Sequence, residues 1–234
     1  MIVGGIQWTT LLDYPGRVAA TVFTAGCNYR CSFCHNPELV LPELVAKTGV
    51  ALDDSFFEEV AERHGFLDAI VISGGEPTLQ PDLLAVLERI KQTGYLVKLD
   101  TNGSSPAIIQ SALARGLLDY IAMDIKAPVE NYEQVVGTPV DTQHIQRSIS
   151  LIQQSGIDYE FRTTAAPGLS EEALFQIADW LSGSKAYWLQ TFQASSTKRL
   201  VDDVCRERAA LETGALRTVW RQLRDRFDRG GVRG

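Results

Sequence analysis

At 234 residues, 45% of them hydrophobic, the chain suits one domain with a normal buried core, or one domain with an appendage. A net charge of −7 argues against nucleic-acid binding, and no apolar run reaches the length of a membrane span. The opening Met-Ile-Val-Gly-Gly-Ile-Gln-Trp lacks the basic start and cleavage site of a signal peptide, and clustered thiols without an export signal point to a reducing cytoplasm.

In chain order, short apolar runs alternate with helical patterns. The first strand is expected over 18–24 and is followed by Gly26-Cys27-Asn28-Tyr29-Arg30-Cys31-Ser32-Phe33-Cys34-His35-Asn36-Pro37, with cysteines spaced C-x3-C-x2-C. An ordinary [4Fe–4S] cluster takes four cysteines, one per iron. Three leave one iron open to a small molecule, so such a cluster can do chemistry as well as carry an electron. A structural zinc with His35 as fourth ligand is the competing reading; its weakness is that vicinal Cys34 and His35 rarely both reach one tetrahedral ion. Cys205 lies in a charged stretch with no partner motif and reads as incidental.

A helix over 54–64 leads to a strand over 69–73, which ends in Ser73-Gly74-Gly75-Glu76-Pro77. Two successive glycines let backbone approach a ligand closely. A helix over 81–93 precedes a strand over 95–100, ending in Asp100-Thr101-Asn102-Gly103. Next come a helix over 106–115, and a strand over 120–125 carrying Met123-Asp124-Ile125-Lys126. The remaining units are a helix over 142–154, a strand over 159–164 with Arg162, a helix over 170–181, and a strand over 186–192 running into Gln193. Gly65, Gly94, Gly116, Gly156 and Gly183 each fall just past a helical pattern, the usual C-cap position. His64 and His144 fall on helices and read as structural.

Six βα units in series favour a parallel sheet with right-handed crossovers, and six are too few to close a barrel of the eight-unit kind. The expected architecture is therefore α/β, a partial (β/α)6 barrel with its site at the C-terminal ends of the strands, where polar residues gather in every unit. Residues 1–200 form this domain. Residues 201–234 are expected to be a C-terminal helix and a loose, solvated tail.

The pattern C-x3-C-x-aromatic-C at Cys27, Cys31, Phe33 and Cys34, with Gly-Gly-Glu-Pro at 74–77, resembles the radical S-adenosylmethionine enzymes. Cys34-His35-Asn36, Leu99-Asp100-Thr101-Asn102-Gly103 and Asp124-Ile125-Lys126 are similar to the pyruvate formate-lyase activating enzymes. The opening Trp8-Thr9-Thr10-Leu11-Leu12-Asp13-Tyr14-Pro15-Gly16 looks more like the anaerobic ribonucleoside-triphosphate reductase activating proteins. The resemblance implies a [4Fe–4S] cluster on Cys27, Cys31 and Cys34. Its open iron would chelate S-adenosylmethionine, whose reductive cleavage would give a 5′-deoxyadenosyl radical that takes hydrogen from a glycine of a partner enzyme. Gly74, Gly75 and Glu76 would hold the methionyl amino group, Arg162 or Lys126 the carboxylate or ribose, and Phe33 would lie near the adenine. Asp100 and Asn102 are counted with the cofactor-binding set. Asp100, Thr101, Asp124 and the carbonyl of Ala122 match a monovalent-cation site, whose carboxylates could instead merely cap turns. Gln193 stands where the formate-lyase activases have a histidine and can bond but not titrate. The implied partners are a glycyl radical enzyme and a flavodoxin- or ferredoxin-type reductant. Segment 13–17 and strand ends 163–167 are the expected docking surface. A radical enzyme acting on a small molecule or another protein remains open, as does a non-catalytic metal-binding or electron-carrying domain.

Overall fold

The computed structural model describes residues 1–193 and 199–234. Among them, nine strands share one sheet: β1 (Ile2–Thr10), β2 (Ala19–Thr24), β3 (Val50–Ala51), β4 (Ala69–Gly74), β5 (Leu96–Thr101), β6 (Tyr120–Asp124), β7 (Asp158–Ala165), β8 (Ala186–Thr191) and β9 (Arg229–Arg233). Their order is β3-β1-β2-β4-β5-β6-β7-β8-β9. Every neighbouring pair from β2 to β9 is parallel, while β1 is antiparallel to β2 and to β3. The edges do not meet, so the barrel stays open. The six strands expected from the sequence lie within one residue of their expected ends.

Two short helices, α1 (Pro37–Val40) and α2 (Pro42–Thr48), follow the cysteine loop. The crossovers carry α3 (Asp54–Glu62), α4 (Leu83–Gln92), α5 (Pro106–Ala114), then a single-turn α6 (Tyr132–Val136) with α7 (Thr142–Gln153), and α8 (Glu171–Trp180). A last helix, α9 (Thr213–Leu223), precedes β9. The longer crossover helices bury apolar stripes at three-to-four-residue spacing, such as Ile145, Ile149 and Ile152 of α7, whereas α2 buries none of its residues. These stripes join Ile70, Ile72, Val97, Leu99, Ile121, Phe161 and Leu189 from the sheet's outer face in the main core.

Alternation along the strands sends the intervening residues inward. The lower part of the concave face is a small apolar plug of Tyr14, Ala19, Ala69, Val71, Tyr120 and Ala122. Above it the face turns polar with Lys98, Asp100, Asp124, Glu160 and Arg162.

Three expectations change. The tail is ordered as β9, pairing along β8 from Ala186↔Arg229 to Gln190↔Arg233. Arg233 lies 3.7 Å over the Trp188 ring and donates twice to Glu160, at 2.9 Å each. Segment 13–17 lies away from the mouth, because antiparallel β1 delivers it to the N-terminal end of β2. There Tyr14 plugs the barrel floor against Tyr120, with centroids 5.6 Å apart, and Asp13 accepts from Thr21 at 2.7 Å. Finally, Cys205 is buried, and its neighbourhood covers the cysteine loop: Val201 N–H donates to the Cys34 carbonyl and Asp202 N–H to that of Ser32, both at 3.1 Å.

Candidate active site

Cys27, Cys31 and Cys34 line one cavity of about 280 Å³ at the C-terminal mouth, together with Gly74, Gly75, Glu76, Asp100, Asn102, Asp124, Lys126 and Arg162. Local bonds hold the loop in shape. The Arg30 guanidinium donates to the carbonyls of Cys27 and Tyr29, each at 2.7 Å, and Cys34 N–H donates to the Cys31 carbonyl at 3.1 Å. Burial pushes the Cys27 thiol up to about 12 and the Cys31 thiol to about 11, and raises Cys34 as well. Such thiols become thiolates only when a cationic centre replaces the lost solvation.

A single zinc would draw its sulfur ligands to about 2.3 Å from one point. Among the described residues no three His, Cys, Asp or Glu side chains converge closely enough to hold one ion. His35 donates through Nε2 to the Gln193 carbonyl at 2.9 Å and stacks on Phe192, with centroids 5.2 Å apart. The three cysteines line one cavity, a placement that suits a group taking one ligand per iron.

The double glycine fits backbone against backbone. A Cβ on Gly75 would stand 2.2 Å from the Gly26 oxygen, and one on Gly74, where φ is +116°, 2.2 Å from the Thr24 nitrogen. Gly75 N–H donates to Thr24 and Glu76 N–H to Gly26, both at 2.8 Å, fixing the Gly-Gly-Glu turn against the residue preceding Cys27. Glu76 is 1% exposed. Its Oε1 accepts from Thr78 N–H (3.1 Å), Thr78 hydroxyl (2.5 Å) and Thr101 hydroxyl (2.7 Å), and its Oε2 from Asn102 N–H (2.6 Å). Burial raises its carboxyl, and these donors oppose the rise. Glu76 therefore ties the ends of β4 and β5 together at the cavity wall.

Asp100 and Asp124 meet around Arg162. Burial alone would raise both carboxyls, but neighbouring cations hold them below the usual range. Arg162 Nε donates to Asp124 at 2.8 Å and Nη1 to Asp100 at 3.4 Å; Lys98 reaches Asp100 at 2.5 Å and Lys126 reaches Asp124 at 3.1 Å. The positive charge between the carboxylates is the guanidinium, Thr101 turns its hydroxyl to Glu76, and Ala122 is buried in β6. Lys98, 2% exposed, was not singled out from sequence, although one lysine in an otherwise apolar strand was a signal.

Phe33 lines the cavity and is buried, whereas Gln193 is exposed and does not line it. Asn102 Nδ2 donates to Asn28 at 2.9 Å, linking the β5 end to the cysteine loop. Tyr29 also lines the cavity, 2% exposed, and its hydroxyl has no hydrogen-bond partner among the described residues.

An open parallel half-barrel with three cysteines and a glycine-rich turn at its mouth defines an enzyme that holds an iron–sulfur cluster and a small cofactor together. Residues 21–181 match the Radical SAM superfamily model, and the chain belongs to that superfamily. Its members use a [4Fe–4S] cluster and S-adenosylmethionine, and the donor set above fits both. Within the superfamily, the chain is similar to a Methanocaldococcus jannaschii protein provisionally named a glycyl-radical enzyme activating enzyme. They share 35% identity over 198 residues, 82% of this chain and 80% of that one. It is also similar to a pyruvate formate-lyase-activating enzyme of Clostridium pasteurianum, at 28% identity over 73% of this chain and 72% of that one. Among solved structures, Streptococcus suis SuiB bound to S-adenosylmethionine superposes with a TM-score of 0.64 at 14% identity. That match covers 92% of this chain and 52% of SuiB, so the chain spans about half of that structure.

Proposed function

We infer that the chain activates a glycyl radical enzyme, and that its partner is an anaerobic ribonucleoside-triphosphate reductase. Similarity to the Methanocaldococcus jannaschii protein along four-fifths of both chains carries the first part. The opening motif at 8–16 supports the second. Bound together, the cluster and S-adenosylmethionine supply a 5′-deoxyadenosyl radical able to take hydrogen from a glycine Cα. Cys27, Cys31 and Cys34 hold the cluster. Gly74, Gly75 and Glu76 face the methionyl amino group, while Arg162, aimed by Asp124 and Asp100, meets the carboxylate. Lys126 and Asn102 complete the polar wall, and Phe33 covers the adenine. The chain's own contribution is to bind, orient and exclude water. Because the sheet is open, an extended loop can reach the mouth past Thr164 and the strand end at 163–167. The electron comes from a flavodoxin or ferredoxin.

The test mixes reconstituted protein, reductant, S-adenosylmethionine and the reductase without oxygen. A glycyl doublet in the electron paramagnetic resonance spectrum, lost when the reductase's glycine is replaced by alanine, is the expected result. 5′-Deoxyadenosine formation without any doublet would shift the assignment to a different substrate.

A further inference from the structure

Four of the eight large hydrophobics exposed among the described residues gather at the two ends of one sheet edge: Ile2 and Val50 at one end of β1, Leu11 and Leu12 just past the other. Leu11 and Leu12 are 72% and 91% exposed. Between these ends the edge is bare. β3 pairs only with Ile2 and Val3, so no described strand lies on the outer side of residues 4–10. A groove of about 500 Å³ opens beside this edge, lined by Gly4, Gly5, Ile6 and Trp8 of β1 and by Leu52 and Phe56 facing them. Sheet edges are normally blunted by charge, proline or a covering element, because their unpaired backbone groups recruit other strands. Ile2–Thr10 contains neither a charged residue nor proline. The acidic groups lining the groove are already engaged: Asp53 accepts from Ser55 N–H at 3.0 Å and Glu59 from Arg63 at 2.7 Å.

The edge fits itself. An antiparallel pair centred on Gln7 sets Gln7 against Gln7, Ile6 against Trp8, Gly5 against Thr9 and Gly4 against Thr10, which uses the whole bare stretch and nothing more. Ile6 with Trp8 is a favourable aromatic–β-branched pair, made twice by symmetry, and no like charges meet at the axis. Past the paired stretch, Leu11 and Leu12 of one copy come level with Val3 and Ile2 of the other, where Ile2 and Val50 stand exposed. Each apolar end thereby covers the other, the self-complementarity that a two-fold interface requires.

We propose that β1 is a homodimer interface: two copies of this chain pair antiparallel along residues 4–10 about a two-fold axis at Gln7, joining their nine-stranded sheets into one and burying Leu11 and Leu12 against Ile2 and Val50. The groove shares no lining residue with the cysteine cavity, so each copy keeps its own site. Pairing at this edge is independent of which substrate the radical attacks.

Sedimentation velocity of the reconstituted protein over a dilution series, with amide exchange measured at each concentration, is the test. The parent should run at twice the monomer mass, and the amides of residues 4–10 should exchange more slowly as concentration rises. The Gln7 side chain is exposed, so the monomer tolerates a charge there. Gln7→Lys and Gln7→Glu should each weaken the dimer by about fivefold in Kd, because like charges then face each other at the axis. An equimolar mixture of the two should dimerise at least as well as the parent. If either variant does not fold, the concentration-dependent protection of residues 4–10 in the parent carries the test. A parent that stays monomeric up to about 100 µM would overturn the proposal. So would a dimer indifferent to both charges with unchanged exchange at residues 4–10, or protection there that arises only when a glycyl radical enzyme is added.

Discussion

Gly75→Ala puts the junction between the glycine-rich turn and the cysteine loop under direct strain. The new Cβ would lie 2.2 Å from the Gly26 oxygen, 2.7 Å from the Gly26 carbonyl carbon and 2.8 Å from the Leu39 oxygen, all of them backbone. Comfortable contact begins at roughly 3.5 Å, so the loop ahead of Cys27 must retreat by about 1 Å. That movement stretches three backbone bonds of 2.8 Å: Gly75 to Thr24, Glu76 to Gly26, and Gly26 to Leu39. At about 1 kcal/mol net each, and with overpacking typically costing 1–3 kcal/mol, the expected loss is about 2–4 kcal/mol. Gly4→Ala is the matched control. Its nearest contact is also 2.2 Å, but with the tip of the Leu39 side chain, which can turn away, so the loss should stay below about 1 kcal/mol. Urea unfolding at constant m value measures both, and iron content after reconstitution reports the displaced Cys27. Gly75→Ala protein with the parent's midpoint and a full complement of iron would refute the reasoning.

Asp124 and Asp100 have folded pKa values below their unfolded ones, because Arg162, with Lys126 and Lys98, outweighs burial. Their contribution is therefore complete above about pH 4, the unfolded value, and is lost as pH falls through the folded values. Acid unfolding of Asp124→Asn should be shallower in that window, with about 1–3 kcal/mol already missing at neutral pH; a curve parallel to the parent's would contradict the network. Arg233→Met should leave the nearly buried Glu160 with the Tyr120 hydroxyl, at 3.2 Å, as its one remaining hydrogen-bond donor among the described residues. The expected loss is about 1–3 kcal/mol, with faster amide exchange along β9, and unchanged exchange at Gly231 and Val232 would show that the ion pair does not hold the strand. Cys27→Ala should prevent both cluster assembly and 5′-deoxyadenosine formation, measured by iron content and chromatography; product under dithionite would contradict its role.

The central strands were legible because burial on both faces makes them continuous apolar runs, as in Ala69–Gly74, and because glycine marks the helix ends. The edges were not. Arg229–Arg233 contains two glycines and has little strand propensity of its own; it becomes β9 because Trp188 and Glu160 engage Arg233 and because only glycine fits at position 230, where a Cβ would stand 2.0 Å from the Tyr187 oxygen. Likewise Ile2–Thr10 carries Gly4 and Gly5, so its pairing with β2 is decided by tertiary contact, and with it the placement of segment 13–17 at the barrel floor. At the site, the cysteines and the glycine turn were readable from spacing. How the charges pair was not, since Lys98, Asp100, Asp124 and Arg162 come from three strands and meet only across the concave face.

Mössbauer spectroscopy of the iron-57 protein, recorded anaerobically before and after addition of S-adenosylmethionine, addresses the three-thiolate site most directly. One iron in four should change its signal when the sulfonium compound binds, because only that iron lacks a cysteine. Four irons that stay alike and unmoved by the addition would contradict the account.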